Sequence, residues 1–302
     1  MRFLITGGAG FLGSELTTSL SKSKKNEIYV FDSYAHGYPK TLPQQEAVKD
    51  LMVGNIKDFS AISRAVERSE PDVVIHLAAH ITRPESVGEF RSCAEVNYVG
   101  TANLLEACLR ERYKPKKIIF ASSEAVRNPT SHYGISKLAA ERLLESICPL
   151  AEIGLGILRF SEIYGISKSH TSQSLINFLV DRMVVGQSIA VFDVKRRKDC
   201  LHISDAVKAC KAAIRSSNPL FKVDIGSGEG IVTQDLIEKL KNLLDFEGQF
   251  KYLEHSGVRV FDSVADTAAA EEVLGFKCAA DFDKELQALV AGRRKDLTKW
   301  GT

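Results

Sequence analysis

An α/β fold built on an open, doubly wound parallel sheet, with a smaller mixed lobe beside it, is what this sequence predicts. Three observations lead there. Several short runs are apolar at nearly every position, as strands buried on both faces require: Phe3-Leu4-Ile5, Ile28-Tyr29-Val30-Phe31, Val73-Val74-Ile75 and Ile118-Ile119-Phe120. Helix-patterned stretches lie between most of these runs, and parallel strands need such crossovers. The first run also passes straight into Gly7-Gly8-Ala9-Gly10-Phe11-Leu12-Gly13, a glycine-rich turn with a helix pattern behind it, Leu16 and Leu20 from Ser14 onward.

A strand end, a tight turn and a helix start bring free backbone N–H groups and the positive end of the helix dipole to one point, where an anion binds. Glycine suits the turn because it tolerates unusual backbone angles, lets a pyrophosphate approach and lets the helix pack on the strand. Gly7, Gly10 and Gly13 are assigned those roles, with Phe11 and Leu12 beside the cofactor. The second strand ends at Asp32, at the distance expected of the acid that holds an adenosine ribose, followed by Ser33. Asp32 accepts from two hydroxyls and repels a 2'-phosphate, so a Rossmann-type site for NAD rather than NADP is expected.

The next elements follow from breakers and periodicity. Gly37, Pro39 and Pro43 mark a loop, Leu51-Met52-Val53 a short strand, and Ser60 to Arg68 a helix that stops before Pro71. Asn55 offers an amide oxygen to adenine and Ile56 an apolar face; a plain turn asparagine fits the sequence equally well. Val73 to His80 is the fourth strand, where small Ala78 and Ala79, with Leu77, leave room for ribose and phosphate. His76 reads as a core histidine. Ile81-Thr82-Arg83 should face substrate, so Thr82 and Arg83 are candidate contacts. A long helix spans Glu89 to Arg112 with Asn97 near its middle, and Pro115 ends it. The fifth strand, Ile118 to Ala121, delivers Ser122 and Ser123 to the same edge. On the helix after it, Tyr133 and Lys137 stand four residues apart on one face, so the ammonium is expected to lower the phenol pKa and make a usable base, with Ser123 bonding the same substrate oxygen.

The bulk properties narrow the partners. A net charge of +2 over 302 residues gives no reason to expect nucleic acid or a membrane surface. The six cysteines are scattered without metal spacing and read as reduced packing residues, so no metal is expected. No apolar run is long enough to cross a bilayer, and the first residues serve as a core strand rather than a leader; a cytoplasmic protein is expected.

The glycine turn with Asp32, His76-Leu77-Ala78-Ala79, Val96-Asn97-Tyr98-Val99-Gly100-Thr101, Ser122-Ser123 and Tyr133-x-x-Ser136-Lys137 together resemble the extended short-chain dehydrogenase/reductase family, and most of all its nucleotide-sugar epimerases and dehydratases. The resemblance continues through Leu158-Arg159-Phe160, Ile163-Tyr164-Gly165, Lys198 to Asp205 and Ile225-Gly226-Ser227-Gly228. It implies that Ser123, Tyr133 and Lys137 are catalytic, that Asn97 and Phe160 join the cofactor site, and that the helices around Asn97 and Tyr133 pair two chains into a homodimer. Three departures stand out. Only Val126 to Pro129 and a few residues more separate the serine strand from Tyr133, so the active-site rim is short. Dehydratase-like relatives carry an acid directly before that valine; here Ala125 fills the position and Glu124 comes one residue earlier. Glu162 stands where the family usually has an asparagine that binds the sugar nucleotide.

Beyond Ser161 the pattern gives a helix over Leu175 to Met183, a strand at Ile189 to Phe192, a basic run Lys195-Arg196-Arg197-Lys198, and a helix over Gln234 to Leu244. Leu201-His202-Ile203 and Val223-Asp224-Ile225 resemble strands that return to the main sheet. Residues 1–160 and 196–227 are thus expected to form the NAD-binding domain, and 161–195 and 228–302 the substrate lobe. Candidate substrate contacts there are Glu124, Glu162, Arg197, Lys198 and Arg259. The expected activity is NAD-dependent epimerisation of a nucleotide sugar through a transient ketone. The rivals are net oxidation or reduction of a smaller hydroxy or carbonyl compound, and a non-enzymatic NAD sensor.

Overall fold

Alternate side chains of a strand face opposite ways, so a run apolar at every position is satisfied only between two layers. The first strand of the computed structural model, β1 (Arg2–Thr6), meets that condition: Phe3 and Ile5 belong to one hydrophobic core and Leu4 to another. The structure describes residues 1–35, 42–82, 88–110, 114–169, 174–192, 194–254 and 261–299.

From β1 the chain runs through α1 (Phe11–Ser21), β2 (Glu27–Asp32), β3 (Val48–Val53), α2 (Phe59–Ser69), β4 (Val73–His76), α3 (Phe90–Cys93), α4 (Gly100–Arg110), β5 (Lys117–Ser123), α5 (His132–Ile147) and β6 (Gly154–Phe160). It continues through β7 (Glu162–Tyr164), α6 (Leu175–Val184), β8 (Ile189–Phe192), β9 (Arg197–His202), α7 (Ile203–Arg215), β10 (Leu220–Ile225), β11 (Gly230–Val232), α8 (Thr233–Leu244), β12 (Phe250–Leu253), α9 (Ala268–Leu274) and α10 (Phe282–Lys299). Within the described residues seven strands make one parallel sheet, ordered β10-β6-β5-β4-β1-β2-β3. The chain moves outward from β1 to β3, then returns to β4 on the other side of β1. Ligands of open α/β sheets gather at the carboxyl ends beside such a reversal.

One face of the sheet is covered by α1 and α7, the other by α2, α4 and α5. A third core belongs to the smaller lobe, where Ile176, Leu179 and Val180 of α6 meet Leu236, Ile237 and Leu240 of α8 and Leu286 and Leu289 of α10. Two small sheets edge it, β11-β9-β7 and the parallel pair β12-β8.

Three sequence expectations are corrected here. Of the two returning strands, only Leu220–Ile225 joins the main sheet; Arg197–His202 pairs with β7 and β11, because β10 already occupies the edge of β6. The fourth strand stops at His76 rather than His80, since the His80 backbone turns to the Asn97 amide: its N–H donates to Oδ1 at 2.7 Å, and Nδ2 donates to its carbonyl at 2.9 Å. The long helix over Asn97 is interrupted by a π-helical segment, Ala94–Val99, in which the Gly100 N–H reaches back to the Glu95 carbonyl.

His76 is a core residue as expected, fully buried between Thr6 Oγ1 at 2.7 Å and Thr101 Oγ1 at 2.9 Å. Burial pulls its pKa down to about 3, so it stays neutral. Beneath the serine strand lies a buried ion pair. Glu141 of α5, 0% exposed, accepts from Arg159 Nε at 2.9 Å and from a terminal Arg159 nitrogen at 2.6 Å, and Ser122 Oγ donates to it at 2.5 Å. This carboxylate locks α5 to β5 and β6. Removing one partner of a buried pair strands the other, at a typical cost of 3–5 kcal/mol. Glu141→Ala should therefore lower the unfolding free energy by about 3 kcal/mol in chemical denaturation; a variant as stable as the parent would mean that the pair contributes nothing net.

Candidate active site

Helices commonly satisfy their first-turn N–H groups with a polar side chain, and several here do. Asp58 accepts from Ser60 and Ala61 ahead of α2, Ser131 from Gly134 ahead of α5, and Ser174 from Asn177 ahead of α6. At α1 the cap is Gly10, with no side chain to offer, and Gly10, Phe11, Leu12 and Gly13 line a cleft of about 680 Å³. The turn is as tight as its glycines suggest. Gly7 has φ +70° and a Cβ on it would lie 2.6 Å from Ala78 N; a Cβ on Gly13 would lie 2.2 Å from Gly7 O. An open helix N-terminus in a cradle that side chains would fill fits a pyrophosphate.

Asp32 ends β2 at the same cleft. Its Oδ2 accepts from the Ala9 N–H at 2.9 Å and its Oδ1 from the Tyr34 N–H at 2.8 Å, which ties the glycine turn to β2. Each oxygen retains a second lone pair for a ribose hydroxyl. Ser33 lies beside it on the wall, and Asn55 and Ile56 line the wall beyond β3. Asn55 Oδ1 accepts from the Lys57 N–H at 3.0 Å, as a turn asparagine does. Leu77, Ala78 and Ala79 follow β4 along the cleft, and Phe160 closes it at the end of β6. Together these groups fit NAD: an anion seat, a ribose acid and an apolar bed.

Ser123, Tyr133 and Lys137 converge on the other end of the cleft. Ser123 is the last residue of β5, its Oγ accepting from the Ala125 N–H at 3.2 Å, and its hydroxyl acts to lower the pKa of the nearby Tyr133 phenol. The expected lowering of the phenol pKa is not what the structure gives. Burial pushes Tyr133 up to about 12, with Cys93 and Glu124 adding to the rise and only the Ser123 hydroxyl opposing it. Lys137 is itself 1% exposed, its Nζ lying 4.1 Å from the centre of the Phe120 ring, and burial pulls it down to about 7 against the pull of Glu141. Desolvation acts on both partners and outweighs their four-residue spacing.

The remaining candidates divide. Thr82, Glu124 and Glu162 line the cleft. Lys198 lies off its wall but pairs with Glu162 at 3.4 Å, and the Glu162 Oε1 accepts from the Leu175 N–H at the start of α6. Glu162 raises the Lys198 pKa, while burial, aided by Glu162, pushes Glu124 up to about 8. Asn97 and Arg197 lie off the wall: Asn97 spends its amide on His80 and on Ser136 Oγ, and exposed Arg197 donates to the Gly230 carbonyl at 3.0 Å. Arg83 and Arg259 fall outside the described residues. The sequence reading missed Ser161, a cleft residue 4% exposed between Phe160 and Glu162; its place just past a parallel strand's carboxyl end was the available signal.

The chain and its fold have counterparts among known proteins. A Methanocaldococcus jannaschii protein described as "Putative UDP-glucose 4-epimerase" is 28% identical, covering 95% of this chain and 96% of its own length. The crystal structure of a Thermotoga maritima UDP-glucose 4-epimerase with UDP-glucose superposes with a TM-score of 0.88 at 26% identity, over 98% of this chain and 100% of that one. MoeE5 in complex with UDP-glucose and NAD gives a TM-score of 0.86 at 25% identity, again over 98% and 100%. The profile of the NAD dependent epimerase/dehydratase family matches residues 3–226, most of the chain and every strand of the main sheet, and the chain belongs to that family.

Proposed function

We propose that this chain is an NAD-dependent epimerase of a UDP-linked hexose. The observation that carries the reading is the convergence of Ser123, Tyr133 and Lys137 on the same cleft as the glycine turn and Asp32. Similarity to UDP-glucose 4-epimerases over nearly the full length supports the substrate class. NAD, when bound, supplies the hydride acceptor and returns the hydride.

The chain's own groups handle the proton and the oxygen. Ser123 and Tyr133, which line the same end of the cleft, form a pair that can hold one substrate oxygen between them. Tyr133 takes the hydroxyl proton as the ketone forms and gives it back when the alcohol is restored. A phenol at about 12 is scarcely ionised near neutral pH, and only its phenolate can take a proton, so its use as a base needs a cation nearby. Lys137, titrating near 7 on the same helix face, is the side chain placed to provide one. The anion seat at α1 and the Asp32 carboxylate hold the dinucleotide, which leaves the sugar between Tyr133 and the Glu124–Glu162 wall.

Two further parts of the reading concern assembly and compartment. Phe90, Tyr98, Val99 and Ile135 are 58%, 41%, 42% and 52% exposed on α3, the π segment and α5, which pack side by side, and an apolar face of that kind suits the interface of a homodimer. All six cysteines are free, which supports a reducing compartment such as the cytoplasm. Among the described residues, no helix is long and apolar enough to cross a membrane.

Three measurements test these statements. Tyr133→Phe should reduce interconversion of UDP-glucose and its 4-epimer at least about a hundredfold while keeping NAD affinity; retained turnover would assign the chemistry to another group, and steady NADH accumulation in the parent enzyme would indicate net oxidation instead. NAD should bind at least about tenfold more tightly than NADP, a difference near 1.4 kcal/mol, and equal affinities by calorimetry would remove Asp32 from the ribose site. Light scattering at micromolar concentration should return twice the chain mass; the mass of one chain would refute the homodimer.

A further inference from the structure

Ser123 and Tyr133 are joined by one short connection, Glu124 to His132, whose first turn is weakly tied from within. The 3-10 turn Glu124–Val126 is closed by the Arg127 N–H on the Glu124 carbonyl at 3.0 Å and by the Ala125 N–H on Ser123 Oγ. Both bonds are internal to the turn, so neither fixes it against the sheet. The start of α5 leans on the same turn, since a Cβ on Gly134 would lie 2.6 Å from the Ala125 carbonyl oxygen. A movement of the turn would therefore displace the serine and the helix that carries the tyrosine together.

What fixes the turn comes from far along the chain. Residues 262–265 run beside β9, with the Asp199 N–H on the Ser263 carbonyl at 2.7 Å, the Ser263 N–H on the Arg197 carbonyl at 2.9 Å and the Ala265 N–H on the buried Asp199 carboxylate at 3.1 Å. This strap lies past the residues matched by the family profile. Two side-chain contacts join it to the serine turn: the Ser263 hydroxyl donates to Glu124, and one terminal nitrogen of Arg127 donates to the Val264 carbonyl at 2.7 Å. The other terminal nitrogen of Arg127 donates to the Asp224 carboxylate on β10, which borders β6 in the main sheet. A planar guanidinium holds two acceptors in fixed directions at once, and an ammonium does not. With the Arg127 and Asp224 side chains 30% and 19% exposed, the ion pair adds little to overall stability, and what it supplies is direction.

We propose that Arg127 is a positioning residue of the active site: by clamping the serine turn both to β10 and to the strap at residues 262–265, it keeps Ser123 and the start of α5 where Ser123 and Tyr133 can meet one substrate oxygen. Arg127 does not itself line the cleft, so it acts through the turn. What is being positioned rests on the epimerase reading; the clamp does not.

Two readouts on the NAD-loaded full chain test this: interconversion of UDP-glucose and its 4-epimer, and hydrogen–deuterium exchange of the peptide over residues 122–129. Arg127→Ala should raise exchange in that peptide and lower kcat, each at least about tenfold, with KM for UDP-glucose and NAD affinity changed less than about threefold, because a small misplacement costs rate before it costs binding. Arg127→Lys, which keeps the charge and one of the two arms, should fall between Arg127→Ala and the parent in both readouts. Unchanged exchange in Arg127→Ala overturns the clamp, and raised exchange with kcat within about twofold of the parent overturns its part in the reaction. An equal loss of NAD affinity would make Arg127 a residue of the general fold and overturn the positioning role, and Arg127→Lys matching the parent would overturn the two-armed clamp. A parent chain that binds NAD without interconverting the UDP-sugars overturns the epimerase reading alone, with the clamp still decided by the exchange.

Discussion

How closely α1 approaches the end of β1 sets the geometry of the whole active edge. No side chain fits between them, since a Cβ on Gly13 would strike Gly7 O and one on Gly8 would lie 2.8 Å from Val30 Cγ1. The helix therefore starts at the strand end, with its uncapped N–H groups turned to the cleft. Three strand ends are pinned around it: Gly7 N donates to Phe31 O at 2.9 Å, Leu77 N to Thr6 O at 3.0 Å, and Ala9 N to the Asp32 carboxylate. The glycine turn and Asp32 are thus parts of one backbone arrangement, and neither can shift without the other.

The end of the cleft lined by Ser123, Tyr133 and Lys137 is fixed by a different device. Glu141, Arg159 and Ser122 join α5 to two strands below the cleft, and on the same helix face, one turn at a time, stand Lys137 and Tyr133. The ion pair keeps that face pressed against the sheet, and the pressing produces the shifts of both ionisable groups. Burial leaves the phenol neutral near pH 7 and divides the amine, lowered to about 7, between its charged and neutral forms there. Rigid placement and electrostatic readiness are in this sense separate properties of α5.

Much of this was legible from residue order. Runs such as Ile118-Ile119-Phe120 allow one environment only, and the glycine spacing with Asp32 pointed to the cleft at the strand ends without any knowledge of packing. What escaped was whatever depends on distance between remote segments or on solvent. Spacing put Lys137 beside Tyr133 but carried no information on burial, which reversed the expected pKa shift. Asn97 looked available to a cofactor because its partner, the His80 backbone, is not visible in a linear pattern. The pairing of Glu162 with Lys198 joins residues 36 apart, and Arg197–His202 read as a main-sheet strand because its true partner, β7, is only three residues long. Short strands and long-range charge pairs leave almost no local trace.

The π-helical segment Ala94–Val99 has a consequence for how this protein can change over generations. A π turn holds one residue more than an α turn, so it behaves as an insertion lodged in the helix. Point substitutions can alter what Asn97 or Thr101 touches, but they leave the count, and so the phase, as it is. Losing the extra residue would swing everything before it by roughly 100° about the helix axis, carrying Cys93 away from Thr82 and Phe90 away from His132, whose ring centre is now 5.8 Å from its own. Descent by single exchanges is therefore confined to this helical phase, and a relative without the bulge lies across a gap that only a deletion or insertion crosses.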